Sequence, residues 1–115
     1  TGNDGCHLWE RIIMAYDLEG PNSYFAIANY GMHCIIQELR KVDRYERDRL
    51  YRKFLSNAGN WVNHRECIIL LRLSQLAIYN LNTTANSDPE MISVMERFNK
   101  FLWEEVQGCG GFRVN

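Results

Sequence analysis

The sequence is poor in the residue that most strongly interrupts helices, since only two of its 115 residues are proline. Its longest purely apolar run, residues 67–71, is far shorter than the roughly 18 residues needed to cross a bilayer. The net charge of −1 provides no overall field to attract nucleic acid or an anionic membrane. We therefore expect one domain over residues 1–115, built of long packed elements, with neither nucleic acid nor a membrane as its partner.

Motifs for metal binding and catalysis are also missing from the sequence. No CxxC motif is present, and the histidines form no HxH or HxxxH pair, so neither a zinc site nor a thioredoxin-like redox site is indicated. We predict that the chain has no metal, no cofactor and no enzymatic activity. Two enzymatic alternatives stay open: a small hydrolase that uses the carboxylates of Glu10 and Glu19, and a thiol enzyme that uses Cys67 with His64.

Apolar residues that recur at helical spacing predict an all-α fold of about five helices. The predicted helices cover residues 6–18, 23–42, 43–55, 63–79 and 89–106. Two of their starts resemble capping boxes, at residues 43–46 and at residues 63–66. Asp88 followed by Pro89 is a third start signal, while Gly59 and Gly108 are suited to end helices.

The helix predicted over residues 63–79 is expected to lie at the centre of a compact bundle. Its only formal charge after Cys67 is Arg72, and a helix that is apolar nearly all round is a buried one. Short links to its neighbours favour antiparallel packing around it.

Four cysteines, widely separated in the sequence, favour two disulfides in an oxidising compartment over four reduced thiols. The preferred pairing joins Cys6 to Cys34, which fall at one level of a predicted helical hairpin, and Cys67 to Cys109. The main alternative joins Cys6 to Cys109 and Cys34 to Cys67. Both pairings would make the protein extracytoplasmic, either periplasmic or secreted.

A basic and aromatic segment, residues 38–54, is the first candidate contact surface. Tyrosine and arginine are the residue types that most often anchor protein interfaces, and an acidic protein suits this segment better than RNA because the whole chain is slightly negative. The candidate residues here are Arg44, Tyr45, Arg47, Tyr51 and Arg52. The same aromatic face could serve a homodimer.

The polar segment of residues 80–87 is the second candidate, since loops of this kind often carry contacts. Its candidate residues are Thr83, Thr84 and Asn86, and Asn82 begins a glycosylation sequon. In size and cysteine count alone the chain resembles bacterial immunity proteins, secreted cytokine-like ligands and insect odorant carriers. We predict a small extracytoplasmic protein-binding module, an inhibitor or immunity-type protein that blocks a partner enzyme.

One further alternative is a carrier of a small apolar ligand. Aromatic and methionine side chains are plentiful enough to line a cavity for such a ligand. The residues concerned are Phe25, Met32, Met91, Met95, Phe98 and Trp103. At helical spacing such side chains more often fill a core.

Overall fold

The computed structural model describes residues 15–115, which form four helices and a four-stranded antiparallel sheet. The prediction of an all-α bundle is therefore wrong. In chain order the elements are β1 (Ala15–Glu19), β2 (Tyr24–Ala28), α1 (Asn29–Val42), α2 (Asp48–Arg52), β3 (Asn60–Val62), α3 (His64–Thr83), α4 (Pro89–Gln107) and β4 (Phe112–Val114). The strands lie in the order β2-β1-β4-β3 across the sheet.

Strands β1 and β2 form a hairpin where the sequence predicted the end of one helix and the start of the next. Tyr16 and Leu18 are buried while Glu19 is exposed, which is the period of two that a half-buried strand shows. The backbone N–H of Gly20 donates to the carbonyl of Ser23 at 3.1 Å, which closes a tight turn over the two residues between them. Gly20 and Pro21, which fall between the helices predicted over residues 6–18 and 23–42, therefore connect two strands.

A buried carboxylate holds this turn against the end of α4. The Glu105 side chain accepts hydrogen bonds from the backbone N–H of Asn22 at 3.0 Å, from the Asn22 side-chain amide at 3.1 Å and from the Ser23 hydroxyl at 2.6 Å. Glu105 is fully buried. A Cβ added at Gly20 would lie 2.3 Å from its carboxylate, so the turn can approach this closely only because that position is glycine.

The glycine-rich C-terminal segment, which follows the last predicted helix, forms β4 within the sheet. Phe112 and Val114 are fully buried, and β4 pairs with β1 on one side and β3 on the other. A Cβ at Gly111 would lie 2.3 Å from the carbonyl oxygen of Val62, so only glycine allows β4 to approach β3 here.

Two of the predicted helix starts are confirmed and one is wrong. Asn63 and Glu66 form a reciprocal capping box at the start of α3, and the Asp88 side chain caps α4 with Pro89 in its first turn. Residues 43–46 form no such box, because α2 begins only at Asp48 and Glu46 has a positive φ of 45°. The carboxylate of Asp43 has other partners, described below.

The core lies between the inner face of the sheet and helices α1, α3 and α4, and phenylalanine rings run through it. Phe101 contacts Phe112 of β4 edge-on at 5.0 Å between ring centroids, and Phe25 of β2 contacts Phe98 of α4 at 5.7 Å. Such aromatic contacts between strands and a helix bury a large apolar area. The sheet is thereby fixed to α4.

Helix α3 packs against α1 and α4 on one side only, so the prediction that it occupies the centre of a bundle is wrong. Leu70 and Leu73 are buried, but Leu76 and Tyr79 are 52% and 70% exposed. Leu71, which a central helix would enclose, is only partly buried. No helix within residues 15–115 has the length and apolar character of a membrane span.

The cysteines of the described residues are not paired. Cys34, Cys67 and Cys109 are free thiols, so the predicted disulfide between Cys67 and Cys109 and the alternative between Cys34 and Cys67 are both wrong. Cys67 is fully buried in the core, whereas Cys109 is exposed beyond the end of α4. Cys6, and with it any pairing of that residue, lies outside the described residues.

Candidate functional site

An open groove lies between the segment that connects α1 to α2 and the outer face of α3. It has a volume of about 200 Å³. Its apolar wall is Val42, Ile69, Leu73 and Leu76, and its polar rim is Arg44, Tyr45, Arg47 and Arg72. We call it the arginine groove.

Asp43, which ends α1, fixes the shape of the α1–α2 connection. Its carboxylate accepts hydrogen bonds from the hydroxyl of Tyr51, from the guanidinium of Arg47 and, at 3.0 Å, from the backbone N–H of Tyr45. The Asp43 side chain is only 1% exposed. Three donors from one short segment converge on this carboxylate, so the loop that forms the rim is held in one conformation.

The hydrogen bonds and charges within this cluster determine the protonation states of Asp43 and Tyr51. Burial by itself would raise the pKa of Asp43, but the hydrogen bonds from Tyr51 and Tyr45 and the charge of Arg47 lower that pKa below its usual value. Burial and the neighbouring Asp43 carboxylate raise the pKa of Tyr51 far above its usual value. At neutral pH Asp43 is therefore ionised, and Tyr51 is a neutral donor.

The rim of the groove keeps a positive charge after these pairings. Arg47 is neutralised by Asp43, and its guanidinium stacks on the ring of Tyr45 at 5.0 Å from the centroid. Arg44 and Arg72 make no ion pair with any residue of the part of the chain that is described. Within residues 15–115, the groove thus combines an apolar wall with two guanidinium groups that make no ion pair.

The structure brings only some of the predicted contact residues together. Arg44, Tyr45 and Arg47 lie on the rim, and Tyr45 is 75% exposed. Tyr51 is fully buried and serves the groove only through Asp43, while Arg52 is exposed on α2 but does not line the groove.

Sequence reasoning missed the half of the groove that α3 contributes. Ile69, Arg72, Leu73 and Leu76 recur at intervals of three and four residues, which places them on one helical face. Arg72 was noticed only as the single charge in an apolar run. Arg72 falls between apolar residues of the same helical stripe, and this pattern is typical of a helix face that is exposed to solvent. It could have indicated that this face of α3 lies at the surface.

The predicted contact loop lies apart from the arginine groove and shares no lining residue with it. Helix α3 continues to Thr83, so the first part of the loop is helical. The hydroxyl of Thr84 donates to the carbonyl of Asn80 at 2.7 Å, and Asn86 has a positive φ of 62°. Thr83, Thr84 and Asn86 are exposed, and the last two line a separate pocket of about 270 Å³ beside α1.

Of the two enzymatic alternatives, the structure describes both residues of only the thiol enzyme, Cys67 and His64, and its geometry does not favour that one. Burial, together with the charges of Glu105 and Glu66, raises the pKa of Cys67 to about 12, so its thiol is protonated at neutral pH and a poor nucleophile. The ring Nδ1 of His64 lies 3.1 Å from the carbonyl oxygen of Gly110. Glu19 pairs in register with Tyr24 and Arg113 on the outer face of the sheet, and Glu10 lies outside the described residues.

Most of the side chains proposed to line a ligand cavity belong instead to the hydrophobic core. Phe25, Met32, Met95 and Phe98 are buried in the core, Met91 is partly buried, and Trp103 is 50% exposed. In residues 15–115 no cluster of three or more metal-binding side chains is present.

Comparisons of this chain with protein family models, with curated proteins and with solved structures find no match.

Proposed function

We propose that this chain is a protein-binding module whose arginine groove receives an acidic, amphipathic segment of a partner protein. The observation that carries the proposal is that Arg44 and Arg72, which make no ion pair within the described residues, line the same groove as its apolar wall. The wall would accept an apolar side chain, and the guanidinium groups would bind carboxylates that flank it. Arginine suits this task because its planar fork can bind a carboxylate through two parallel hydrogen bonds.

The fixed rim supports tight binding in this proposal. A loop that is already held by the Asp43 carboxylate loses little conformational entropy when a partner docks. Tyr45 lies under the stacked Arg47 guanidinium at the edge of the groove, and exposed tyrosines of this kind often contribute much of the binding free energy. The exposed Leu76 side chain would be covered in the complex.

Within this proposal the partner is an enzyme and the module acts as its inhibitor, as an immunity-type protein does. The exposed loop at Thr83, Thr84 and Asn86 would supply a second contact on such a partner. An extracytoplasmic location belongs to the same proposal. The predicted disulfide between Cys67 and Cys109 does not support this location, because both cysteines are free thiols.

The proposal is tested by selecting displayed peptides on the immobilised full chain. We expect the selected peptides to be rich in aspartate and glutamate around one or two large apolar residues. The double variant Arg44→Glu with Arg72→Glu should weaken their binding by about a hundredfold, since two favourable charge contacts become repulsive. Leu76→Asp should weaken peptide binding by about tenfold, because the apolar wall then carries a negative charge, as the acidic peptide does.

The matched control is Arg49→Glu, which changes the charge of an exposed arginine on α2 that does not line the groove. It should leave the binding of the selected peptides within about threefold of the original value. Selection of basic or neutral peptides, or equal effects of the Arg49 and Arg44/Arg72 variants, would show that the groove does not bind acidic segments.

A further inference from the structure

A stripe of side chains on the solvent side of α3 passes through the arginine groove and continues beyond it at both ends. Its members lie alternately four and three residues apart, which is the spacing that places side chains on one face of a helix. The middle of the stripe lines the groove, whereas its two ends do not. We call this set, Arg65, Ile69, Arg72, Leu76 and Tyr79, the α3 stripe.

The α3 stripe takes little part in the packing of the chain. Its members are exposed except for Ile69, which is partly buried. Helix α3 instead packs on α4 through its opposite side, where the side-chain amide of Asn99 donates to the hydroxyl of the buried Ser74 at 2.8 Å. Leu76 and Tyr79 are large apolar side chains that the fold leaves open to solvent.

The spacing of the α3 stripe suits a helix and not an extended strand. From Arg65 to Tyr79 the stripe covers about 21 Å along the axis, so its side chains recur about every 5 Å. The side chains on one face of an extended segment recur about every 6.6 Å, and they would lose register with the stripe within its length. A second helix has the same repeat as α3, so its side chains can interdigitate with the whole stripe.

The charge of the α3 stripe restricts what can cover it. Arg65 and Arg72 make no ion pair with any other residue in the described range 15–115, and the stripe contains no acidic residue. Two copies of the stripe placed face to face would therefore bring together only positive charges. An acidic helix would neutralise both guanidinium groups, and Arg44 on the rim of the groove would add a third contact.

We infer that the acidic segment bound by the arginine groove is an α-helix of about four turns that packs along the α3 stripe. This inference rests on the proposed function, since it takes an acidic segment as the occupant of the groove. The bound helix carries acidic residues that face Arg65 and Arg72, and apolar residues that cover Leu76 and Tyr79. An amphipathic helix bound through residues at such spacings is a common mode of peptide recognition.

Two synthetic peptides of identical composition test the inference. In the first, leucines recur at the spacing of the α3 stripe, and two glutamates on the same face have the separation of Arg65 and Arg72. The second contains the same residues in an order that forms no helical stripe. Calorimetric titration of the full chain should give at least about tenfold tighter binding for the first peptide. The ¹³Cα shifts of the labelled first peptide should move to helical values when it binds.

Variants at the two ends of the α3 stripe test its extent, because neither end lines the arginine groove. Arg65→Glu and Tyr79→Asp should each weaken binding of the first peptide by about tenfold, since each places a negative charge against an acidic helix. The matched controls are Arg49→Glu and Tyr30→Asp, which change an exposed arginine and an exposed tyrosine elsewhere. These controls should stay within about threefold of the original affinity. Circular dichroism should be unchanged in all four variants.

The outcomes separate this inference from the proposed function. Equal affinities for the two peptides, a bound peptide without helical shifts, or end variants as mild as their controls would overturn the inference. So would a first peptide that fails to bind. The proposed function survives each of these results as long as displayed acidic peptides are selected and lose affinity for the Arg44→Glu, Arg72→Glu variant. If no acidic peptide is selected and neither synthetic peptide binds, both fail.

Discussion

The hydroxyl of Tyr51 donates a hydrogen bond to the carboxylate of Asp43, and both side chains are closed off from solvent between α1 and α2. Arg40 covers the other side of the arrangement, with its guanidinium 4.8 Å from the centroid of the Tyr51 ring. The Tyr51 hydroxyl, the Arg47 guanidinium and the Tyr45 backbone N–H thus all depend on one buried carboxylate. The rim of the arginine groove is as stable as this cluster.

Removing the hydroxyl alone should therefore loosen the rim. Tyr51→Phe keeps the buried ring but leaves Asp43 without one donor, and we expect the free energy of unfolding to fall by about 1–3 kcal/mol. Urea denaturation followed by circular dichroism measures this change. Tyr45→Phe is the control, because the Tyr45 hydroxyl is on an exposed ring; equal losses for the two variants would contradict the role given to Asp43.

The same cluster predicts how stability depends on pH. Because the pKa of Asp43 is lower in the folded chain than in the unfolded chain, its contribution is present above the ordinary carboxyl pKa of about 4 and is lost as pH falls through the folded value. The difference in unfolding free energy between the original chain and Asp43→Asn should be constant from neutral pH to about pH 5 and shrink below about pH 4. A difference that grows as the pH falls would show that the pKa shift has the opposite sign.

Glu105 should be the most sensitive carboxylate in α4. Glu105→Gln replaces an acceptor with an amide whose NH₂ faces the donors of Asn22 and Ser23, and we expect a loss of about 1–3 kcal/mol of unfolding free energy. Glu96→Gln, an exposed change on the same helix, should stay within about 0.5 kcal/mol. If both changes proved equally mild, the hairpin turn would not depend on the buried carboxylate.

The cysteines should differ in reactivity. Cys67 is buried and its pKa is raised to about 12, so a maleimide should modify it only after unfolding, while the exposed Cys109 should react in the native chain. Mass mapping of labelled peptides distinguishes the two thiols. Labelling of native Cys67 as fast as that of Cys109 would mean that the start of α3 is open to solvent.

The helices that could be predicted from the sequence are those whose ends carry their own local signals. The Asn63–Glu66 box and the Asp88-Pro89 pair act within one turn of the helix that they begin, so a short stretch of sequence contains the whole cause. Residues 43–46 carry the same kind of signal, but the carboxylate of Asp43 accepts a hydrogen bond from the buried hydroxyl of Tyr51 instead of capping a helix. A partner outside the stretch decided that case.

The strands could not be predicted in this way because their pairing is not local. Strand β4 has three residues, and it is held by β1 and β3, which lie far earlier in the chain. Tyr16 and Leu18 have the spacing of a strand, but two positions are too short a run to outweigh the helical spacing read over residues 6–18, and only the facing strands decide between the two. The same limit applied to the arginine groove: Arg44 and Tyr45 were identified within their own segment, whereas Arg72 and Leu76 join them only through the packing of α3.

Chemical-shift mapping of the ¹⁵N-labelled chain with a selected acidic peptide tests the proposed function most directly. We predict that the amide signals of Tyr45, Ile69, Leu73 and Leu76 shift together and saturate at one dissociation constant, while those of Trp61 and Arg113 on the outer face of the sheet stay in place. Raised salt should weaken binding, because the contacts with Arg44 and Arg72 are between charges. Shifts confined to the sheet face or to residues 80–87, with the arginine groove unchanged, would contradict the proposal.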